Sequence, residues 1–393
     1  MQKLLRFFSA LVLGVAAQFA VAADDSEYIG KVIVPGAGGT PIRVSGNTAE
    51  LDALARTAFG AHGEYRLVAS GGQYEIRFSA VSGNSVNVQV IKGSSVALNQ
   101  NVTGTSLRNA FFRAGDVAVK ATSGLKGFFA SKLAFVSNRT GKDEIYVGDL
   151  FMGEVRQLTR DNAHAMTPRW SPDGTKLIYT SYFRNFPDIY LINLQNNDRT
   201  KFASFQGTNS GARFSPNGQR VAMVLSGEGI PEIYSSPASG RPVTRLTRSD
   251  AVKSSPCFSP DSSRIVYASE PGPKLYIMSA GGGGGQMIGG GLATTYCAEP
   301  DWSVGDPNKI AYTFREQGGH FQIAVHDLST GKSEKVSKAA YDGVEPCWLA
   351  DGRHLIYTAR AAGSRALFLL DTKSGRTVRI GNITAEKASV LNP

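Results

Sequence analysis

Short apolar runs bounded by turn residues dominate the chain beyond residue 130, and they recur at a fixed interval. Leu177-Ile-Tyr-Thr-Ser181 follows a Pro-Arg-Trp-Ser-Pro-Asp-Gly segment at 168–174; the same unit returns at 212–225, 256–267 and 346–357, with a looser copy at 300–312. Anchored on the basic residue that opens the second run, the copies fall at Lys132, Lys176, Arg220, Arg264, Lys309 and His354, 44 or 45 residues apart. In the second copy, residues 168–171, 177–181, 188–193 and 199–203 are rich in aromatic and β-branched residues and separated by turn chemistry, which reads as four strands. At 171–174 the proline sits second, where its fixed φ suits a type I turn, and the glycine fourth. A blade of four short antiparallel strands cannot bury its faces alone. Radial repetition buries them and leaves only short, protected edges. A linear stack would need polar capping repeats, and none is legible. The expectation is a mainly β chain with a six-bladed β-propeller over residues 128–393.

The first copy starts at its second strand, 133–136, without a Pro-x-aromatic-Ser-Pro segment before it. The tail at 388–393 lies 42 residues beyond Pro346 and resembles a worn copy of that segment, so it is expected to supply the missing innermost strand. A third-strand aromatic recurs at Tyr146, Tyr190, Tyr234, Tyr276 and Phe368, with Ala324 in the fifth copy, and is expected to pack between blades.

Upstream the pattern changes. A strand is expected at 28–34, then a helix capped by Thr48 with Leu51, Leu54, Ala55, Ala58 and Phe59 at helical spacing. Strands follow at 65–69, 74–80, 85–91 and 96–102. A second helix over 106–122 places Leu107, Ala110, Phe111, Ala114, Val117, Ala118 and Ala121 on one face. Residues 23–127 therefore read as a small α/β domain. The glycine-rich 35–39 lacks the lysine and hydroxyl residue of a phosphate-binding loop and is expected to be an ordinary loop.

Residues 1–22 carry Lys3 and Arg6, an apolar stretch and a terminal Ala-Val-Ala, the marks of a cleaved secretory signal. Loss of Lys3 and Arg6 lowers the formal charge from +10 to +8. Lys and Arg are dispersed without a run of four, which argues against nucleic acid as a partner. No later stretch is long and apolar enough to span a membrane. The odd set Cys257, Cys347 and Cys297 excludes a full disulfide framework, and burial is expected for the first two. Five scattered histidines offer no metal-ligand spacing, no Gly-x-Ser-x-Gly elbow occurs, and neither catalytic residue, metal nor cofactor is expected.

The loops ahead of the inner strands then become the candidate binding surface, because they converge on one mouth of the ring. The residues expected to meet a partner are His164, Met166 and Thr167; Thr208, Asn209, Ser210 and Gly211; Ser254 and Ser255; Glu299; and Glu345.

The order signal, small α/β domain, Ser-Gly-Leu-Lys-Gly-Phe-Phe at 123–129 and six Pro-x-Trp/Phe-Ser-Pro-Asp-Gly repeats resembles the TolB family of the Tol-Pal envelope system. The resemblance implies a monomeric, non-enzymatic periplasmic protein that docks the outer-membrane peptidoglycan-associated lipoprotein Pal at the propeller mouth. It also implies an N-terminal contact with TolA and a role in envelope integrity and outer-membrane constriction during division. By position, the Pal-facing loops fall on Thr208 to Gly211 and on Ser254 and Ser255. A ligand-binding or sensory propeller of the same ancestry is the alternative.

Overall fold

A computed structural model describes residues 38–288, 292 and 296–393. The expected signal, the strand at 28–34 and residues 35–37 lie outside this range, as do residues 289–291 of a glycine-rich connection.

The N-terminal region is a five-stranded sheet in the order β2-β1-β3-β4-β5. Its strands are β1 (Thr40–Gly46), β2 (Tyr65–Leu67), β3 (Tyr74–Ala80), β4 (Ser85–Lys92) and β5 (Ser95–Thr103). Two helices, α1 (Ala49–Ala61) and α2 (Leu107–Ser123), join its core. Thr48 caps α1 by accepting the Leu51 N–H at 3.2 Å, and Ser106 caps α2 by accepting that of Asn109 at 3.1 Å. β1 is absent from the sequence reading, which places the first strand at 28–34. Here Pro41 stands at the strand's start, and Ile42 and Val44 alternate into the core.

The face expected of α2 is half the answer. Ala110, Phe111, Ala114 and Ala118 are buried, but so are Phe112 and Val119, whereas Ala121 is exposed. For Phe112 the cause is a second packing partner: it stacks on Phe151 of the propeller at 5.2 Å. The linker is held by the same helix. Asp116 accepts the backbone N–H groups of Phe129 and Ala130 at 2.6 and 3.0 Å, and burial pushes its carboxyl up to about 7.

Six four-stranded sheets follow. Their inner strands are Ala165–Trp170, Asn209–Phe214, Lys253–Phe258, Cys297–Trp302, Asp342–Trp348 and Glu386–Leu391. The last pairs antiparallel with Lys132–Ser137, so the C-terminal strand completes the blade that opens the ring. The turns obey the expected chemistry: Gly174 and Gly218 take φ of 67° and 72°, Gly174 N donates to the Ser171 carbonyl at 2.9 Å, and Ser171 Oγ donates to Asp173. The third-strand aromatics make an additional contact. Tyr146, Tyr190, Tyr276 and Phe368 stack on Phe135, Tyr179, Tyr267 and Tyr357 of their own blades at 5.7–5.8 Å, while Tyr190 also joins a cluster with Val136 and Ile145 of the preceding blade.

The two parts meet in a polar joint at the turns of the first and last blades. Arg353 pairs with Glu64 and, at 2.7 and 2.8 Å, with Asp371. Gly63 N donates to His354 Nε2 at 3.3 Å, Arg376 donates to the Tyr65 carbonyl at 3.2 Å, and Arg108 pairs with Asp149 at 3.1 Å. All these turns follow inner or third strands, so the N-terminal region lies over the first and last blades on one face of the disc and leaves the opposite mouth clear.

Candidate functional site

Every inner strand departs from regular pairing at the same point. The register shifts between Ser254 and Cys257, and equivalently in the other five. One residue per shift has positive φ: Thr167, Gly211, Ser255, Glu299, Glu345 and Lys387, at 50–63°. A left-handed conformation costs a non-glycine residue roughly 1–2 kcal/mol. Its repetition around the ring shows a built feature, since a bulge re-aims side chains next to a site. All six residues border one cavity of about 100 Å³ at the mouth.

Cross-blade bonds hold this ring. The Gly211 N–H donates to Thr180 Oγ1 at 3.3 Å, that of Glu345 to Thr313 Oγ1 at 3.0 Å and to Glu299 Oε2 at 3.1 Å, and that of Lys387 to Thr358 Oγ1 at 3.1 Å and Glu345 Oε2 at 3.2 Å. Arg360 adds a bond to Glu345 at 2.7 Å. Burial and the neighbouring Glu345 push the Glu299 carboxyl above its usual range. Burial works on Glu345 too, but Lys387 and Arg360 outweigh it and hold that carboxyl low. The pair thus carries little excess charge at the rim.

The structure brings Thr167, Gly211, Ser255, Glu299 and Glu345 together as expected neighbours, and adds Lys387. Met166, Thr208, Ser210 and Ser254 are half-buried near the mouth, and His164 is exposed beside Asp143 at 2.9 Å. Asn209 differs. It is wholly buried, donating to the Phe205 carbonyl at 2.7 Å and accepting the Phe205 N–H at 2.8 Å, so it shapes its loop instead of facing solvent.

Missing from the sequence reading is an aromatic cluster. Tyr182, Phe183 and Phe186, in the connection between second and third strands of the second blade, are 39%, 43% and 71% exposed. Ile230, Val252 and Tyr341 are exposed in connections on the same face, whereas among the described turns on the covered face only Val304 is a comparably exposed large apolar residue. The signal that could have found the cluster is three aromatics in a six-residue connection with no strand to bury them.

Cys257, Cys297 and Cys347 are free and buried. Cys257 is also polar in use, accepting the Trp302 N–H at 3.3 Å. His62, Asp351 and His354 place ligand atoms within 4.8 Å of one another. Most of these atoms are engaged: His62 Nδ1 accepts the Glu64 N–H at 3.2 Å, His354 Nε2 accepts that of Gly63, and His354 Nδ1 bonds Asp351 at 2.6 Å, while His62 Nε2 is buried without a partner. This group serves the joint between the two parts. No helix among the described residues is long and apolar enough to cross a membrane.

A closed six-bladed propeller with an α/β region on one face and, on the other, a polar mouth rimmed by loops that expose apolar side chains defines a propeller scaffold with one open face. The family model described as the TolB beta propeller domain matches residues 119–389, and the chain belongs to that family. Among curated relatives, the Tol-Pal system protein TolB of Methylobacillus flagellatus is 34% identical over 115 residues, 29% of this chain and 27% of the relative. That of Roseobacter denitrificans is 31% identical over 142 residues, 33% and 32% respectively. The matched stretch thus spans about a quarter to a third of the length of these curated relatives. The crystal structure of TolB from Acinetobacter baumannii superimposes with a TM-score of 0.81 at 21% identity, covering 92% of this chain and 98% of that one. A nidogen/laminin complex (TM-score 0.55, 11% identity, 66% of this chain and 98% of that one) and Kuenenia stuttgartiensis hydrazine synthase (0.56, 14%, 68% and 47%) share the ring. Fold alone therefore does not decide function.

Proposed function

We propose that this protein is a non-enzymatic, periplasmic component of the Tol-Pal envelope system whose propeller mouth docks an outer-membrane, peptidoglycan-associated lipoprotein of the Pal type. Through that complex it supports envelope integrity and the inward movement of the outer membrane during division. The N-terminal region is free to serve a second, TolA-like partner while the mouth is engaged. The observation that carries this reading is the gathering of exposed apolar side chains on the face turned away from the N-terminal region, around the strained ring of Thr167 to Lys387. Exposed apolar patches of this kind mark interaction surfaces, and buried aromatic anchors dominate interface energetics.

Titration calorimetry of the mature protein against the purified soluble domain of the lipoprotein from the same cell tests the reading. Phe183→Ala with Phe186→Ala is expected to weaken binding at least about 30-fold, since one anchor is worth about 2 kcal/mol. Gly-substitution of Thr208, Ser210, Ser254 and Ser255 is expected to weaken it further. Undiminished affinity in both variants would move the docking surface elsewhere.

A further inference from the structure

Two residues beyond each bulge, the inner strands carry Arg169, Arg213, Cys257, Asp301, Cys347 and Ser389. This tier forms the throat of the ring. Arg169 and Arg213 border both the mouth cavity and a second cavity of about 260 Å³ on the other side, so they partition the channel.

The throat is not neutral. Arg213 pairs with Asp301 through Nη2 and Oδ1, and the other oxygen of Asp301 accepts the Trp348 N–H at 2.7 Å. That carboxylate is fully used. Arg169 has no carboxylate partner among the described residues. Its Nη1 donates to the carbonyls of Ala388 at 3.1 Å and Pro168 at 3.5 Å, and Nε and Nη2 have no protein acceptor. The thiols supply no countercharge, because burial raises Cys257 and pushes Cys347 up to about 12. Burial and the charge of Arg213 lower the Arg169 guanidinium from its ordinary value, yet an arginine stays protonated. Arg169 thus carries a positive charge with no carboxylate bonded to it on a half-buried side chain, where charge is costly without a partner.

We propose that this throat binds the carboxylate of a small organic molecule admitted through the 260 Å³ cavity. The planar fork of Arg169 matches a carboxylate edge on. The mouth cavity, at about 100 Å³, is too small to admit an aryl carboxylate. The larger cavity has Asp301 as its single acidic lining residue and is walled by Trp170, Phe214, Trp302 and Trp348, surfaces suited to an apolar body. A dry cavity of about 150 Å³ holds benzene, so an aryl group fits. This site is independent of the mouth face, and its failure would leave the docking proposal standing.

Benzoate, with neutral benzamide and with acetate as comparisons, is titrated into the full mature protein at constant ionic strength, followed by melting temperature and calorimetry. Benzoate is expected to raise the melting temperature saturably, with acetate weaker and benzamide inert. Arg169→Met is expected to lower benzoate affinity at least tenfold with near-ultraviolet circular dichroism unchanged. If that variant does not fold, Arg169→Lys keeps the charge without the planar fork and is expected to lower affinity several-fold. Equal responses to benzoate and benzamide, undiminished affinity in the folded variants, or no benzoate binding at millimolar concentration would overturn the proposal.

Discussion

Deleting residues 388–393 is expected to lower the melting temperature by about 10 °C or more. These six residues supply most of the strand that pairs Ser389 with Ala134, Val390 with Leu133 and Leu391 with Lys132. They also receive bonds from the next blade: Arg169 donates to the Ala388 carbonyl, and Trp170 Nε1 donates to that of Ser389 at 3.1 Å. Each lost hydrogen bond is worth about 1 kcal/mol net, and groups left buried without partners cost about 1–3 kcal/mol each. The loss of several kcal/mol is comparable with the roughly 5–15 kcal/mol that holds a folded domain. Thermal unfolding followed by circular dichroism measures it, and an unchanged midpoint would mean the ring does not depend on its closing strand.

The second large effect lies at the joint between the two parts. Asp371 is fully buried and takes both arms of Arg353, with Ser374 Oγ at 2.6 Å. Burial alone would raise its carboxyl, but Arg353, His354 and Ser374 hold it well below the usual range. Gly63 approaches so closely that a Cβ there would lie 1.8 Å from Asp371 Oδ2. Asp371→Ala leaves Arg353 half-partnered in a buried place, and breaking such a pair costs about 3–5 kcal/mol. The variant is expected to unfold at correspondingly lower denaturant and to be cut faster by trypsin at Lys126, in the exposed linker. The pH dependence has a definite sign. A carboxyl depressed by folding stabilises above its ordinary value of 3.8, and this contribution declines as pH falls below it. The gap between wild type and Asp371→Ala is expected to close below about pH 4; a gap constant down to pH 2 would deny the ion pair its role.

Much of the ring is legible in the sequence because its unit repeats. The basic residue opening each second strand, the Ser-Pro-Asp-Gly-like turn and the stacking aromatics satisfy the same geometry in most blades, with lapses such as Ala324. The caps of α1 and α2 are legible because Thr48 and Ser106 act locally. What depends on tertiary placement is not. Phe112 falls off the expected face of α2 because Phe151 of the propeller packs on it. Arg169, Arg213 and Asp301 occupy the variable position of the Pro-x-aromatic motif, which reads as unconstrained until the ring turns it inward. The left-handed ring is only faintly marked in residue type: Gly211 suits a positive φ, and the prolines after Thr167, Ser255, Glu299 and Glu345 suit a bulge within a strand. Lys387 is hidden because the closing copy is worn.

The central claim is that the mouth opposite the N-terminal region is the docking face. Hydrogen–deuterium exchange of the mature protein, with and without the soluble lipoprotein domain, reads it directly. Slowed exchange is predicted in the connections at 138–143, 182–187, 226–231 and 338–341 and in the ring from Thr167 to Lys387. Protection confined to the turns around Asp149, Arg353 and Asp371, with those connections unchanged, would contradict the account.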